Sequence, residues 1–283
     1  MQPIVVLCAD DYGLAGGVCT AIESLIVAGR LSATGCMTGL PAWRSHGPEL
    51  KSIVQSHPVD VGLHLTLTDQ PSLASLPRLA DGGNLPSIAR LVPIALAGRL
   101  PQADVASEIR AQLDAFEDVW NAPPDFVDGH QHVHLLPTVH EALLNELARR
   151  YRTGAVYLRN CVEPSRRCVA RGIAVPKALF LSLLGRALAR CAAAAGIPMN
   201  EGFSGLHDFT GRQNFRELMQ RFLSGLGPLP LIHVHPGTVD DELRARDVLT
   251  SPREIERDYL GADAFLEDLE AAGVRLGRFH EFD

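Results

Sequence analysis

Short apolar segments alternate along this chain with longer amphipathic stretches, almost from the first residue to the last. Most of the short segments are continuously apolar, as strands buried on both faces of a sheet are. Six of them have strand length, namely residues 4–9, 33–38, 59–65, 125–128, 155–158 and 229–234. The pattern therefore predicts a parallel β-sheet with helices between its strands.

Helix starts are predicted between the strands by three sequences that resemble capping boxes. They are Pro137-Thr138-x-x-Glu141, Thr210-x-x-Gln213 and Ser251-Pro252-x-Glu254. In such a box a Ser or Thr side chain accepts from the backbone three residues on, and proline is tolerated at the first helical position. We therefore expect helices to begin at these three places.

The longest apolar stretch, residues 178–196, is predicted to be an amphipathic helix. Leu179, Leu183, Arg186 and Arg190 recur there at helical spacing, with the two arginines on one side. The arginines make the stretch too charged to span a bilayer, so no transmembrane segment is expected. We interpret it as a core or dimer-interface helix, with one wall of a lipid-accepting groove as the alternative.

Nothing in the sequence divides the chain, because it has no repeat, low-complexity block or Gly/Ser linker. A single domain over residues 1–283 is therefore expected, a length at which α/β barrels often form one domain. Alternating strands and helices form either an open sheet or a barrel. Asp and His residues come at the ends of strands far apart in sequence, and such ends converge most naturally around a barrel. We predict a distorted α/β barrel.

Composition and charge exclude several classes of protein. With 46% hydrophobic and 21% charged residues the chain is globular, and its formal charge of −7 would repel phosphates, so no nucleic-acid partner is expected. Six cysteines without a C-x-x-C pair do not form a disulfide scaffold. The first residues also lack the basic and long apolar regions of a signal peptide. We expect a cytoplasmic protein.

Two adjacent carboxylates, Asp10 and Asp11, come at the end of the first predicted strand. Like charges this close raise each other's pKa unless a cation or a proton intervenes. The pair therefore indicates a metal on one carboxylate and proton transfer by the other. The alternative is a helix N-cap, because a helix is expected to begin near Gly16.

Histidines follow two further strands. His64 lies near the end of one, where a lone core histidine bonded to a backbone carbonyl is the alternative to a ligand. In the segment Asp128-Gly129-His130-Gln131-His132-Val133-His134, the histidines alternate. An extended conformation would point their rings to one side, where they could share a cation. The alternative for this segment is a neutral surface turn.

A late strand ends with His233 and His235, followed by the turn Pro236-Gly237. The turn is expected to leave His235 at the rim of a site, whereas we interpret His233 as a packed core residue. The remaining histidines lie in polar or helical settings and are expected to be solvated; they are His46, His57, His140, His207 and His280.

One carboxylate and two imidazoles with open positions form a ligand set that suits a divalent cation, with Mg²⁺, Mn²⁺ and Zn²⁺ as candidates. Such a site lowers the pKa of water and polarises a carbonyl. Together with a second Asp and a His at the rim, this is the equipment for hydrolysing an amide or an ester.

Four segments together resemble the YdjC-like carbohydrate deacetylases, a family that includes chitooligosaccharide deacetylases and enzymes linked to hopanoid biosynthesis. They are Ala-Asp-Asp-Tyr-Gly-Leu at 9–14, Gly-Leu-His-Leu at 62–65, Asp-Gly-His-Gln-His-Val-His at 128–134 and His-Pro-Gly at 235–237. The resemblance implies a distorted (β/α) barrel of the polysaccharide-deacetylase type. It also implies a divalent metal, usually magnesium, and removal of acetyl groups from N-acetylated amino sugars by hydrolysis of a linear amide C–N bond.

The resemblance assigns roles position by position. Asp11, His64 and His130 match the metal ligands, Asp10 matches the base, and His235 matches the acid that protonates the departing amine.

Some positions are left open by the resemblance. Asp128 is expected to orient an imidazole. His132 is an additional candidate ligand, and the role of His134 stays open. Tyr12 stands where the family commonly has phenylalanine, and a helical insertion is expected near residues 160–198, which leaves the substrate open.

The expected substrate is an N-acetylated sugar, an oligosaccharide or a lipid-linked amino sugar, and the chain is a candidate homodimer. One rival is a metal-dependent phosphoesterase or amidohydrolase barrel, because Asp128-x-His130-x-His132 resembles their H-x-H pattern. The number of metal ions bound discriminates the two. A second rival, a non-catalytic sugar-binding or metal-binding module, leaves Asp10 and His235 without a purpose.

Overall fold

Eight strands pair in parallel in the described part of the chain, residues 2–282 of a computed structural model. They are β1 (Ile4–Tyr12), β2 (Ala33–Cys36), β3 (Asp60–Leu65), β4 (Phe126–Gly129), β5 (Tyr157–Leu158), β6 (Phe203–Ser204), β7 (Leu231–Val234) and β8 (Arg275–Leu276). β1 to β7 are buried along almost their whole length, which explains why their sequences are continuously apolar.

Helices connect the strands and cover the sheet. They are α1 (Gly16–Val27), α2 (Pro41–Ile53), α3 (Ile88–Leu96), α4 (Gln102–Trp120), α5 (Val139–Arg150), α6 (Ser165–Arg171), α7 (Val175–Ala194), α8 (Phe215–Phe222), α9 (Asp241–Arg246), α10 (Ser251–Gly261) and α11 (Asp263–Ala271). Two 3-10 segments, His130–Leu135 and Phe279–Phe282, complete the described structure. No helix between residues 2 and 282 is long and apolar enough to cross a membrane. The cytoplasmic location stays a prediction.

The strand order is β5-β4-β3-β2-β1-β7-β6, with β8 paired to the first residues of β1. Apart from β8, the strands therefore follow one another around a curled sheet in chain order, as in a barrel. β5 and β6 form the two edges, and the seam between them is bridged by Leu158 and Met199 and by Asn200. The prediction of a distorted α/β barrel is confirmed.

The six predicted strands are all present, with ends shifted by up to three residues. β6 and β8 were not predicted, because each has only two residues and so shows no periodicity. The helix predicted at 178–196 is α7, and α6 and α7 both lie within the region predicted to be helical at 160–198. That this region is an insertion stays a prediction, as does the single domain over 1–283.

The three capping boxes are wrong in detail, although helices begin close to each of them. Thr138 and Thr250 occupy N-cap positions without a side-chain cap bond. α8 begins five residues after Thr210 and is capped by Asn214, whose side chain accepts from the backbone of Arg216. The hydroxyl of Thr210 bonds to Asp208 instead, because a local turn competes with the cap.

We expect Asn200→Ala to lower the free energy of unfolding by roughly 2–4 kcal/mol. Asn200 is fully buried at the seam, accepts from the backbone N–H of Asn160 at 2.6 Å, and donates to the carbonyls of Asn160 and Gly202 at 2.9 Å. Urea unfolding measures the change, and Asn145→Ala on the exposed face of α5 is the control, expected within about 0.5 kcal/mol of the parent. Equal stability of the two variants would contradict this role.

Candidate active site

Asp10 and Asp11 lie in the last part of β1, and both line one cavity although they are neighbours. In a regular strand, adjacent side chains point to opposite faces. Here the register between β1 and β2 shifts after Ala9, and Asp11 adopts a left-handed backbone with φ of 69°. This bulge turns both carboxylates to the same cavity. The N-cap interpretation is wrong, because α1 begins at Gly16 and its N-cap is Ala15.

Asp11 meets His64 and His130 at the ends of three different strands. The Nδ1 of His130 lies 2.9 Å and the Nε2 of His64 lies 3.3 Å from Oδ1 of Asp11. The other oxygen, Oδ2, accepts from Arg253 at 2.6 Å, so Oδ1 is the oxygen turned to the two imidazoles. One carboxylate oxygen and two ring nitrogens within 4.8 Å of one another fit a divalent cation.

The charges around Asp11 and His64 decide the protonation of these two residues. Burial by itself would raise the pKa of Asp11, but Arg253 and His130 hold that pKa well below its usual value. Burial would lower the pKa of His64, but Asp128 and Asp10 raise it to about 10. The Nδ1 of His64 lies 2.7 Å from Oδ1 of Asp128. Asp128 therefore lies where an imidazole-orienting residue is needed.

Asp10 is bound to a different cation, Arg159. This arginine donates from Nη1 to Oδ2 of Asp10 at 2.7 Å and from Nη2 to Oδ1 at 2.5 Å, and it also lies 2.5 Å from Asp128. Burial would raise the pKa of Asp10, but Arg159 and then His64 hold it well below its usual value. Asp10 is thus kept ionised and in one orientation.

His235 follows β7 and lies beside Asp10, with Nε2 3.9 Å from Oδ2 of the carboxylate. Its backbone N–H donates to Glu256 at 2.6 Å, and the ring of Phe209 packs edge to face against its imidazole. Burial and the neighbouring His233 hold the pKa of His235 well below its usual value. The imidazole is therefore neutral at physiological pH.

The prediction of an extended segment with alternating histidines is wrong. Residues 130–135 are not extended, because Gln131 and His132 adopt left-handed backbone angles, so the alternating rings do not share one side. His132 packs against Phe203 and His233 and lines the same cavity as Asp11, and its role as an additional ligand stays a prediction.

The Nε2 of His134 lies 3.1 Å from the backbone carbonyl of Arg159. This contact supports the backbone at Arg159. His233 is buried as predicted, but it also lines the cavity and lies 3.4 Å from Asp10. His140 and His207 are buried rather than solvated, and His207 lies 3.0 Å from Glu256.

The cavity has a volume of about 560 Å³, with a polar floor and an apolar upper wall. The floor is formed by two carboxylates and five histidines, namely Asp10, Asp11, His64, His130, His132, His233 and His235. The apolar side chains of the wall come from α3, α7 and two loops, namely Ile88, Val92, Phe180, Leu184, Phe209 and Val248, and Gln131, Lys177, Asp208 and Asp247 also line the cavity. The ammonium of Lys177 lies 5.2 Å from the centre of the Phe209 ring, at a distance typical of a cation–π contact.

Arg159 and Arg253 were not predicted from the sequence. A signal for Arg159 existed, because it directly follows the predicted strand 155–158, as the ligands follow theirs. Arg253 carries no such signal, since it lies within α10 and reaches Asp11 across 242 residues of sequence.

The family model described as "YdjC-like protein" matches residues 4–271 of this chain. The chitooligosaccharide deacetylases of Yersinia pestis (strain Pestoides F) and Yersinia pseudotuberculosis serotype O:1b (strain IP 31758) are each 33% identical over 141 residues. The match covers 50% of this chain and 54% of each relative. The chain thus spans about half the length of the curated relatives it matches.

Two solved structures are similar in fold. A protein of Enterococcus faecalis V583 named for cellobiose-phosphate cleavage superimposes with a TM-score of 0.68 at 21% identity, covering 99% of both chains. The Bc1960 peptidoglycan N-acetylglucosamine deacetylase superimposes with a TM-score of 0.50 at 10% identity, covering 99% of this chain and 88% of that one. At these identities the likeness concerns the fold alone.

We expect one divalent cation per chain. Asp11→Asn and His130→Ala should each weaken cation binding by more than about 100-fold. Loss of a residue that only supports a ligand typically costs up to about 100-fold, and loss of a ligand itself should cost more. Asp10→Asn should still bind one cation, and His280→Ala, exposed and remote from the cavity, is the control. Titration calorimetry gives stoichiometry and affinity. Unchanged binding by both Asp11→Asn and His130→Ala would rule out this ligand set.

Cation binding should also release a proton from His64, since the metal-free pKa of that residue is about 10. Below that pH the affinity for the cation should therefore rise about tenfold per pH unit. Titrations in buffers of different ionisation enthalpy count the protons released. Asp128→Asn removes a charge that raises the pKa of His64, so it should release fewer protons near pH 8. A pH-independent affinity would contradict the protonation argued for His64.

Proposed function

This chain belongs to the YdjC-like protein family, and from that premise we propose that it is a metal-dependent hydrolase that removes acetyl groups from an N-acetylated amino sugar. The observation that carries the proposal is that two neighbouring carboxylates in one cavity have different partners. Asp11 meets His64 and His130, whereas Asp10 meets Arg159 and lies beside His235. The names of the curated relatives support the same reaction.

The cofactor that we propose is one divalent cation held by Asp11, His64 and His130. A mixed oxygen and nitrogen set is compatible with Mg²⁺, Mn²⁺ or Zn²⁺, and we propose Mg²⁺ from the family resemblance. Bound there, the cation would polarise the acetamide carbonyl and make a water molecule more acidic. Asp128 orients His64 for this purpose, through the contact of 2.7 Å at Nδ1.

Asp10 acts as the base in this proposal. Its carboxylate lines the cavity, and Arg159 holds its pKa well below its usual value, so it is ionised and available to accept a proton from the attacking water. The two bonds from Arg159 also fix the plane of the carboxylate. Each oxygen keeps a second lone pair, which leaves Oδ2 able to accept that proton on the cavity side.

His235 carries the proton onward to the leaving group. Because its low pKa leaves it neutral, His235 has no spare proton before the reaction starts. We propose that the proton taken by Asp10 passes across the 3.9 Å to Nε2 of His235 and then to the nitrogen of the breaking C–N bond. The carbonyl carbon gains the hydroxyl of the water, and acetate and a free amine leave.

The form of the substrate is proposed from the upper wall of the cavity. A bare oligosaccharide presents hydroxyl groups, yet Ile88, Val92, Phe180 and Val248 offer no hydrogen bonds to them. Of the three forms considered, we therefore propose an amino sugar that carries an apolar group, such as a lipid-linked one. Its sugar would reach the polar floor while the apolar group contacts the wall.

The second candidate is a two-metal phosphoesterase or amidohydrolase, and one observation favours it. Asp10, His233 and His235 also offer three ligand atoms within 4.8 Å of one another. Arg159 opposes a cation there, because it already donates to both oxygens of Asp10 and repels positive charge. A stoichiometry of two metal ions per chain would favour this candidate over the deacetylase.

The deacetylase proposal predicts release of acetate and a free amine from N-acetylglucosamine derivatives. Asp10→Asn and His235→Ala should each lower kcat by about 10²- to 10⁴-fold while the cation stays bound. For His235→Ala the loss should be smaller when the leaving amine is already a good leaving group, such as an aniline.

An octyl glycoside of N-acetylglucosamine should have a higher kcat/KM than the free sugar, and this gain should be lost in Phe180→Ser.

Acetate and amine are measured separately, so that transfer of the acetyl group to another acceptor is distinguished from hydrolysis. His57→Ala, outside the cavity, is the control and should keep full activity. Full activity of both Asp10→Asn and His235→Ala would exclude the mechanism proposed here. Lack of any acetate release from amino sugars, with metal bound, would exclude the function.

A further inference from the structure

The segment that contains α6 and α7 has an unusual charge for this chain. Residues 164–200 contain six cationic side chains and no Asp or Glu, whereas the whole chain carries −7. The six are Arg166, Arg167, Arg171, Lys177, Arg186 and Arg190. This segment, which Glu163 and Glu201 flank directly, is therefore basic in a chain that is acidic as a whole.

Three of these arginines are free to act at the surface. Arg171 is buried and donates to backbone carbonyls, and Arg167 lies near Glu163. Within residues 2–282, Arg166, Arg186 and Arg190 form no ion pair or side-chain hydrogen bond. All three are exposed to solvent.

The exposed face of α7 adds large apolar side chains to these charges. Leu179, Phe180, Leu183, Arg186 and Arg190 follow one another at intervals of one, three, three and four residues, so they form one face of the helix. Leu183 is 62% and Phe180 46% exposed. The first half of this face is thus apolar and its second half cationic.

This face adjoins the mouth of the cavity. Phe180 belongs both to the exposed face of α7 and to the cavity wall. The side chain of Val248 is fully exposed and likewise lines the cavity. Large apolar side chains in open water at the entrance of a site mark a surface that contacts something else.

We propose that the exposed face of α7, together with Val248, docks the protein on an anionic lipid bilayer. Leu183, Phe180 and Val248 enter the interface, and Arg186 and Arg190 bind the acidic headgroups beside them. α7 lies along the surface rather than across the bilayer. Docking in this orientation turns the mouth of the cavity towards the membrane.

Charge complementarity favours a bilayer over a second copy of the chain. A symmetric dimer formed through this face would bring Arg186 and Arg190 either close to their own copies or, in an antiparallel contact, against the apolar half of the same face on the other copy. No carboxylate of residues 164–200 is available to compensate them in either arrangement, so such a contact would be unfavourable. An anionic bilayer instead offers negative charge next to an apolar layer, in the same arrangement as the two halves of α7.

Flotation of the full chain with lipid vesicles tests this proposal. The protein should float with vesicles of phosphatidylcholine and phosphatidylserine, much less with phosphatidylcholine alone, and less at high salt. Arg186→Gln/Arg190→Gln should weaken the partition coefficient by about 25-fold, from roughly 1 kcal/mol per basic residue. Leu183→Gln should weaken it by about 5- to 10-fold.

Matched controls change the same residue types elsewhere. Arg44→Gln/Arg152→Gln removes two exposed charges, and Leu266→Gln replaces an exposed leucine of α11. Both should partition like the parent. Leu183, Arg186 and Arg190 do not line the cavity, so their variants should keep the parent's activity on a water-soluble substrate.

Several results would overturn the docking. They are no flotation with anionic vesicles, equal loss in the control variants, or a dimer in solution that Leu183→Gln converts to a monomer. Vesicle binding is measured without turnover, so it stands or fails independently of the proposed deacetylase activity.

Discussion

The burial of three carboxylates at one end of the barrel is the constraint on which the site depends. Asp10, Asp11 and Asp128 are almost completely removed from water, and an isolated buried carboxylate is very costly. Arg159 compensates Asp10 and Asp128, and Arg253 compensates Asp11. Removing either arginine would leave a buried charge unpaired, which is strongly destabilising. The arginines are therefore part of the fold as much as of the site.

The same pairing separates the roles of two adjacent residues. Asp10 and Asp11 are buried to a similar extent, so the difference in their roles comes from the side chains around them. Arg159 occupies both oxygens of Asp10, whereas Arg253 occupies one oxygen of Asp11 and leaves the other to two imidazoles. The bulge in β1 makes this possible, because it turns Asp11 out of the regular alternation of the strand.

α7 links the site to its surroundings. One side of the helix lines the cavity through Leu181 and Leu184, and another side presents Leu183 and the arginines to solvent. A single helix thus contributes to the apolar wall that we assign to substrate binding and to the surface that we assign to membrane docking. Under these two proposals, an amino sugar borne by a membrane lipid would reach the polar floor without leaving the bilayer completely.

The sequence by itself determined six of the eight described strands, the barrel and the polar residues at the strand ends. Apolar runs and their ends are local properties, so the Asp and His residues there could be recognised as candidates before any contact was known, whereas the choice of Asp11, His64 and His130 among them came from the family resemblance. Tertiary structure alone decided the partners. Arg159 reaches Asp10 across 149 residues of sequence and Arg253 reaches Asp11 across 242, and no local pattern encodes either contact. It also decided that His132 packs beside His233 rather than beside Asp11, since backbone angles and packing set these directions.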